Sequence, residues 1–332
     1  FVNDNRTSFG AGDYDVNGTW EQNRYTDWQK ELLGGTARMN NLLGTISGGS
    51  GQTQFLFSGN YNRESTVFKG DFFYQKGGAR FNLNHQSLDQ KFQFVFTAGY
   101  SLQNNNQPAA DFTSEARLIV PNAPALYDAA GNLNWENNSW NNPLRNLEAV
   151  HKSNTKDFIS NAIISYAILP NLVFKTSFGY TDLQHTENRA IPSTTASPSS
   201  GYTSANSILY LNNTKRNSWI IEPQLNWERQ IGEGKLGILV GGSFQNQSNN
   251  RLYQSGSNFS SNSLIYDLAS AVTQRTQVSD ETLYKYQGVF ARLNYNLKDR
   301  YILNATARRD GSSRFGPDNQ FANFGAVGMA WL

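Results

Sequence analysis

Residues 91–100, KFQFVFTAGY, alternate without a break: Phe92, Phe94, Phe96, Ala98 and Tyr100 fall on one side of an extended chain, Lys91, Gln93 and Thr97 on the other. Successive side chains of a strand point to opposite faces, so this rhythm predicts a strand with one oily face. The same division recurs in NSWIIEPQLNWERQ, where Trp219, Ile221, Pro223, Leu225 and Trp227 oppose Glu222, Gln224, Asn226 and Glu228. Leu236, Ile238, Val240 and Phe244 continue it, as do the odd positions of 289–297 and 301–307. About eleven such segments are predicted, near 40–48, 52–63, 72–87, 91–104, 155–168, 171–185, 207–229, 235–252, 283–297, 300–309 and 321–332.

Several of these exceed the roughly 5–6 residues usual for globular strands and match the roughly 9–11 that a tilted strand needs to cross a bilayer. Aromatic residues near their ends, such as Trp219 and Trp227 or Tyr295 and Tyr301, resemble the interfacial girdles of membrane barrels. The connections also alternate in length. GGSGQ (48–52), LDQK (88–91), LPN (169–171), IGEGK (231–235) and LKDR (297–300) are tight turns, and longer polar stretches lie between them at 64–71, 105–154, 186–206, 253–282 and 310–320. Antiparallel strands joined this way collect every tight turn at one end and every long loop at the other, as outer-membrane barrels do with periplasmic turns and extracellular loops. A soluble β-sandwich also alternates, but rarely joins strands this long by loops this one-sided.

Composition agrees with strands and turns: 28 Gly, 16 Tyr, 21 Phe and 7 Trp stand beside a charged fraction of 16%. No run of about 18 apolar residues is present, which excludes a helical membrane span. The mean hydropathy of −0.58 does not argue against a barrel, whose strands are apolar only at alternate positions and whose lumen and loops are polar. A net charge of +2 without a basic block offers no footprint for nucleic acid. The absence of cysteine excludes disulfides and thiolate metal sites, and His85, His151 and His185 lie far apart in sequence, so no metal or cofactor site is predicted. HExxH, GxSxG and Walker-type motifs are missing, and no catalytic residues are assigned.

Eleven is an odd number, whereas bacterial single-chain barrels have even counts. An open arc in lipid leaves unpaired backbone groups at both edges, each costing several kcal/mol. The final residues FGAVGMAWL read as a strand cut before its turn, and Phe1 follows no start methionine or signal sequence. The expectation is therefore a loop-rich segment over 1–39 leading into a partial transmembrane barrel over 40–332, with a plug domain absent.

Three tracts carry a resemblance: TDWQKELL (26–33), LLGTISGGSGQTQFLFSGNYNRES (42–65) and YQGVFARLNYNLKDRYILNATARRDGSSRFGPDNQFANFGAVGMAWL (286–332). Together they resemble the SusC/RagA-type TonB-dependent outer-membrane transporters of Bacteroidetes. The resemblance implies an all-β antiparallel barrel of about 22 strands with a plugged lumen, of which this chain is about half. It also implies import of oligosaccharides or peptides, a SusD-like surface lipoprotein as lid, and coupling to the TonB complex through an N-terminal region not contained in this sequence. A passive porin or structural barrel, and then a soluble β-rich binding module, are the alternatives.

Two groups of residues stand out as candidate sites. Trp135 and Trp140, in NLNWENNSWNNP, pair flat aromatics with amides, a combination suited to sugar rings or, equally, to anchoring the loop. The tract ARRDGSSRFGPDNQF (307–321) reads as a loop held by ion pairs of Arg308 and Arg314 with Asp310, Asp318 or neighbouring loops. On the strands, Arg80, Lys175, Glu222, Glu228 and Arg292 are expected to face the lumen, and Leu293 the lipid.

Overall fold

The computed structural model describes residues 9–332; the start of the chain at Phe1 lies outside them. Eleven strands form one sheet in simple sequence order: β1 (Met39–Gly49), β2 (Thr53–Ser65), β3 (Phe73–Gln86), β4 (Phe92–Pro108), β5 (Val150–Leu169), β6 (Leu172–Ile191), β7 (Ile208–Ile231), β8 (Gly234–Phe259), β9 (Ala271–Leu297), β10 (Tyr301–Ser312) and β11 (Phe321–Trp331). Every pairing is antiparallel between chain neighbours.

Register joins the separate alternations into two continuous faces. Trp227 lies across from Ile238, Ile238 from Leu293, Leu293 from Ala305 and Ala305 from Val327, an apolar row over five strands. Ile46, Phe57, Phe81 and Ala98 form the corresponding row over β1–β4. The next row in is polar: Asn294 lies across from Asn304, and Asn294 Nδ2 donates to Asn304 Oδ1 at 2.6 Å. Ser177 and Ser243 each donate to one oxygen of Glu222, at 3.2 and 3.1 Å, stitching β6, β7 and β8 on that polar face. The stitch spans the place where Pro223, lacking an N–H, interrupts the β7–β8 ladder.

Among the described residues no second layer covers the apolar face of the sheet. Val240 is 52%, Val289 53% and Val327 72% exposed, values incompatible with the inner face of a sandwich and expected of a surface solvated by lipid. Buried apolar residues collect instead in two small clusters at the long-loop end, one between the segment before β1 and the β4–β5 connection, the other at the ends of β6–β9 with Ile265.

The long connections are shorter than their sequence suggests. The stretch 253–282 narrows to 260–270, 105–154 to 109–149, and 310–320 to 313–320, while 186–206 becomes 192–207. The cause is polarity on both faces: beyond the apolar band, segments such as SNNRLYQSGSN (248–258) and TQRTQVSDET (273–282) meet water on either side, so their period-two signal vanishes although the ladder continues. Strands β7, β8 and β9, of 24, 26 and 27 residues, far exceed the roughly 11 needed to cross a bilayer. The segment before β1, mostly turns and bends over 9–38, holds one short helix. Asp27 accepts from Lys30 N at 3.1 Å and caps a helix, α1 (Trp28–Leu33), whose Trp28 and Leu32 share one buried face at a spacing of four.

Candidate functional site

The connection between β4 and β5 builds a compact cap at the long-loop end. Its helices α2 (Thr113–Leu118) and α3 (Arg145–Glu148) surround a core of Leu126, Ala116, Ala123 and Leu144 that also takes in Trp28 and Leu32 of α1. Trp28 Nε1 donates to the Val120 carbonyl at 2.8 Å, Trp20 Nε1 to Ser139 Oγ at 2.8 Å, and Asn122 Nδ2 to the Asp15 carbonyl at 2.6 Å. The segment before β1 is thereby sewn to a loop about a hundred residues later. Asn142, fully buried, donates to the carbonyls of Leu126 (2.6 Å) and Asn134 (3.0 Å) and accepts from Leu144 N (3.0 Å), so the loop backbone is satisfied internally.

The two candidate tryptophans separate on this frame. Trp140 packs against Trp28 at 5.8 Å between ring centroids, and its indole N–H donates to the Asn134 carbonyl at 3.0 Å; it belongs to the cap's core. Trp135 instead lines a cleft of about 950 Å³ between the cap and the β6–β7 connection. Tyr127, Asp128, Asn132, Asn134, Glu136 and Glu148 share its wall with Thr194, Ser197 and Ser199 from the opposite loop. Thr194 Oγ1 donates to Glu148 Oε2 at 3.1 Å and closes one side. Glu136, Asn137 and Asn138, directly after Trp135, hold φ of 44°, 54° and 68°. Such conformations are uncommon for residues with a Cβ and concentrate at functional sites.

Charge in the cleft is one-sided. Asp128, Glu136 and Glu148 line it and, among the described residues, no lysine, arginine or histidine does. Asp128 is held below the usual carboxylate range by the amide N–H of Asn132, and its Oδ1 also accepts from Ala130 N at 2.9 Å. Behind the cleft, burial pushes the Glu115 carboxyl up, opposed by Arg145 and by the amide of Asn146, which lies 3.2 Å away.

The arginine-rich tract forms a different kind of cluster. Arg308 Nε donates to Asp310 Oδ1 at 2.6 Å, Tyr286 Oη donates to the same oxygen at 2.9 Å, and a second guanidinium nitrogen of Arg308 reaches Tyr286 Oη. All three project from the polar face of β9 and β10, beside Gly288. Arg314 departs from the expected ion pair. Ser313 exchanges bonds of 2.9 Å with the Lys285 backbone, and this drawing-in sets the Arg314 guanidinium 4.6 Å over the Tyr284 ring. Asp318 occupies a left-handed turn position (φ 72°) and joins no ion pair among the described residues.

The histidines are not as dispersed as their sequence positions imply. His151 Nε2 lies 2.9 Å and His185 Nε2 3.8 Å from the two oxygens of Glu187. Residues separated by more than thirty positions meet because β5 and β6 are paired. Among the described residues no group of three such side chains is placed to hold a metal ion.

A single antiparallel meander with a lipid-type apolar face, tight turns at one end and a built-up loop cap at the other defines a segment of an outer-membrane barrel. Comparison with known proteins supplies the class. No family profile matches the chain. Over 92% of its length it is 26% identical to the TonB-dependent receptor P3 of Formosa agariphila and, over the same share, 26% identical to the TonB-dependent receptor SusC of Bacteroides thetaiotaomicron. Among solved structures, the RagAB peptide importer in its open-open state superposes with a TM-score of 0.70 at 18% identity, over 98% of this chain and 38% of that one. Over nearly its whole length the chain is thus similar to part of the TonB-dependent receptors, and its fold is that of an outer-membrane barrel segment. Within that class its resemblance is to the SusC/RagA family. It spans about a third of the length of the curated relatives it matches, 31% and 32%.

Proposed function

We propose that the protein to which this barrel segment belongs imports oligosaccharides or peptides across the outer membrane, and that it is a transport protein rather than an enzyme. The long-loop end faces outward, a SusD-like lipoprotein covers it, and the TonB complex supplies energy through a region outside this sequence. The observation that carries the ligand assignment is the cleft beside Trp135, where an aromatic face, several amides and hydroxyls, and three carboxylates converge. Rings with an apolar face and a polar periphery suit it. With carboxylates and no cation in its wall, the cleft favours neutral glycans or basic peptides over sulfated or uronic ligands.

The test uses the full-length protein and a panel of neutral and anionic oligosaccharides and of peptides, read by calorimetric titration. Trp135→Ala is expected to weaken binding of the preferred ligand by about five- to tenfold, the loss of one stacked aromatic contact of about 1–1.5 kcal/mol. Trp140→Ala is expected to lower stability instead. Unchanged affinity in Trp135→Ala, or a preference for anionic glycans, removes the cleft from the ligand path.

A further inference from the structure

At the turn end, the lipid-facing side of β9, β10 and β11 carries an apolar groove of about 450 Å³. Two rows of three side chains border it. Tyr295, Leu303 and Met329 are paired across the strands in one row, and Leu297, Tyr301 and Trp331 in the other. These positions share the face of Leu293 and Val327, and the 72% exposure of Val327 marks it as the side solvated by lipid. The rows lie two residues, or about 7 Å, apart along the strands, leaving a channel that runs across them.

The turn-side row of the groove carries a cation on its aromatics. The rings of Tyr301 and Trp331 stack at 6.3 Å with 19° between their planes. The Arg300 guanidinium lies 5.7 Å from the Tyr301 centroid and 5.5 Å from that of Trp331. The other charges of this turn are already engaged. Lys298 Nζ is 2.6 Å from Glu233 Oε2, and Asp299 Oδ1 accepts from Asn296 Nδ2 at 2.7 Å. Arg300 joins no ion pair among the described residues.

We propose that this groove is a binding site for a phospholipid of the periplasmic leaflet, with an acyl chain between the two rows and the phosphate on Arg300. Barrel turns of this length lie on the periplasmic side, and Tyr and Trp belts mark the height of the headgroups there. A guanidinium over two rings at that height has donors to offer an oxyanion and matches phosphate geometry in two parallel bonds. Directly beneath it the lining changes to Leu303 and Met329, the chemistry of a hydrocarbon chain. Charge at the mouth and apolarity below reproduce the polarity profile of a phospholipid over the same short distance.

The experiment is native mass spectrometry of the full-length protein, released from phosphate-free detergent with and without added phosphatidylglycerol. Wild type is expected to retain phospholipid. Arg300→Gln is expected to reduce the retained fraction about fivefold, the factor matching about 1 kcal/mol per basic residue at an anionic surface. Lys298→Gln, which removes a charge from the same turn outside the groove, is expected to leave retention unchanged. Met329→Trp fills the groove with an apolar ring that the membrane accepts, and should lower retention while heat-modifiable migration shows the barrel folded. Equal retention in Arg300→Gln and wild type, an equal fall in Lys298→Gln, or a lipid-free dimer seated on the groove each overturns the assignment.

Discussion

Moving one arginine along β9 tests the two-faced sheet most severely. Ala291, Leu293 and Asn294 are close in sequence, but register sets the first two on the lipid row and the third on the polar row beside Asn304. Tyr295 marks the lower girdle. At about 3.4 Å per residue and a tilt of about 45°, Leu293 lies about 5 Å and Ala291 about 10 Å above it, in an apolar band about 25 Å tall. Ala291 is therefore near the midplane, where a lipid-facing arginine costs about 2–4 kcal/mol, and Leu293 is nearer the interface, where the cost falls toward about 1 kcal/mol. Asn294→Arg adds a cation to a face that already carries Arg292, Glu228 and Lys235, and should cost less than about 1 kcal/mol. The expected order of destabilisation is Ala291→Arg, then Leu293→Arg, then Asn294→Arg. Urea titration of the full-length barrel refolded into lipid vesicles, scored by heat-modifiable migration, measures all three. Equal folded fractions for Ala291→Arg and Asn294→Arg would refute the face assignment. A Leu293 effect larger than that of Ala291 would refute the depth assignment.

Gly288→Ala should break the polar cluster at the outer end of β10: a Cβ there would lie 2.6 Å from Asp310 Oδ1 and 2.9 Å from Tyr286 Oη. Loss of the charged bond is expected to cost about 1–2 kcal/mol and to speed proteolysis within 313–320, with the urea midpoint as a second reading. Glu115→Gln should stabilise the cap at neutral pH, because burial raises the folded-state pKa of this carboxyl and so penalises its charged form. The sign is definite: the stability Glu115 contributes is present in acid and is lost as pH rises through its raised pKa. Hydrogen exchange of the α2 amides, corrected for intrinsic rates, should fall in protection over that rise in wild type and less in the Gln variant. An identical pH response in both proteins would count against the burial cause.

What the chain by itself determined is the strand order and the division of each strand into an oily and a polar face. Phe92, Phe94 and Phe96, or Leu293 and Tyr295, announce their side because burial in lipid is a period-two constraint that every residue of a spanning strand must obey. Tight turns such as LPN and LKDR are equally local and equally visible. The chain was silent where that constraint stops. The outer halves of β8 and β9 are ladders between two aqueous faces, so no apolar period records them. The loop-rich reading of 1–39 passed over the local signal of helix α1, the Asp27 cap and the Trp28–Leu32 spacing, and its destination was out of reach, since docking against Leu126 and Leu144 depends on a loop about a hundred residues away. A long-range contact of the same kind separates the roles of Trp135 and Trp140. Adjacent in one asparagine-rich tract, they look equivalent until packing assigns Trp140 to Trp28 and leaves Trp135 in the cleft wall. Arg314 turned to Tyr284 for a similar reason, because the pairing of Ser313 with Lys285 decides which group it meets. Faces follow from the period of the chain; partners follow only from which distant strands and loops the sheet register brings together.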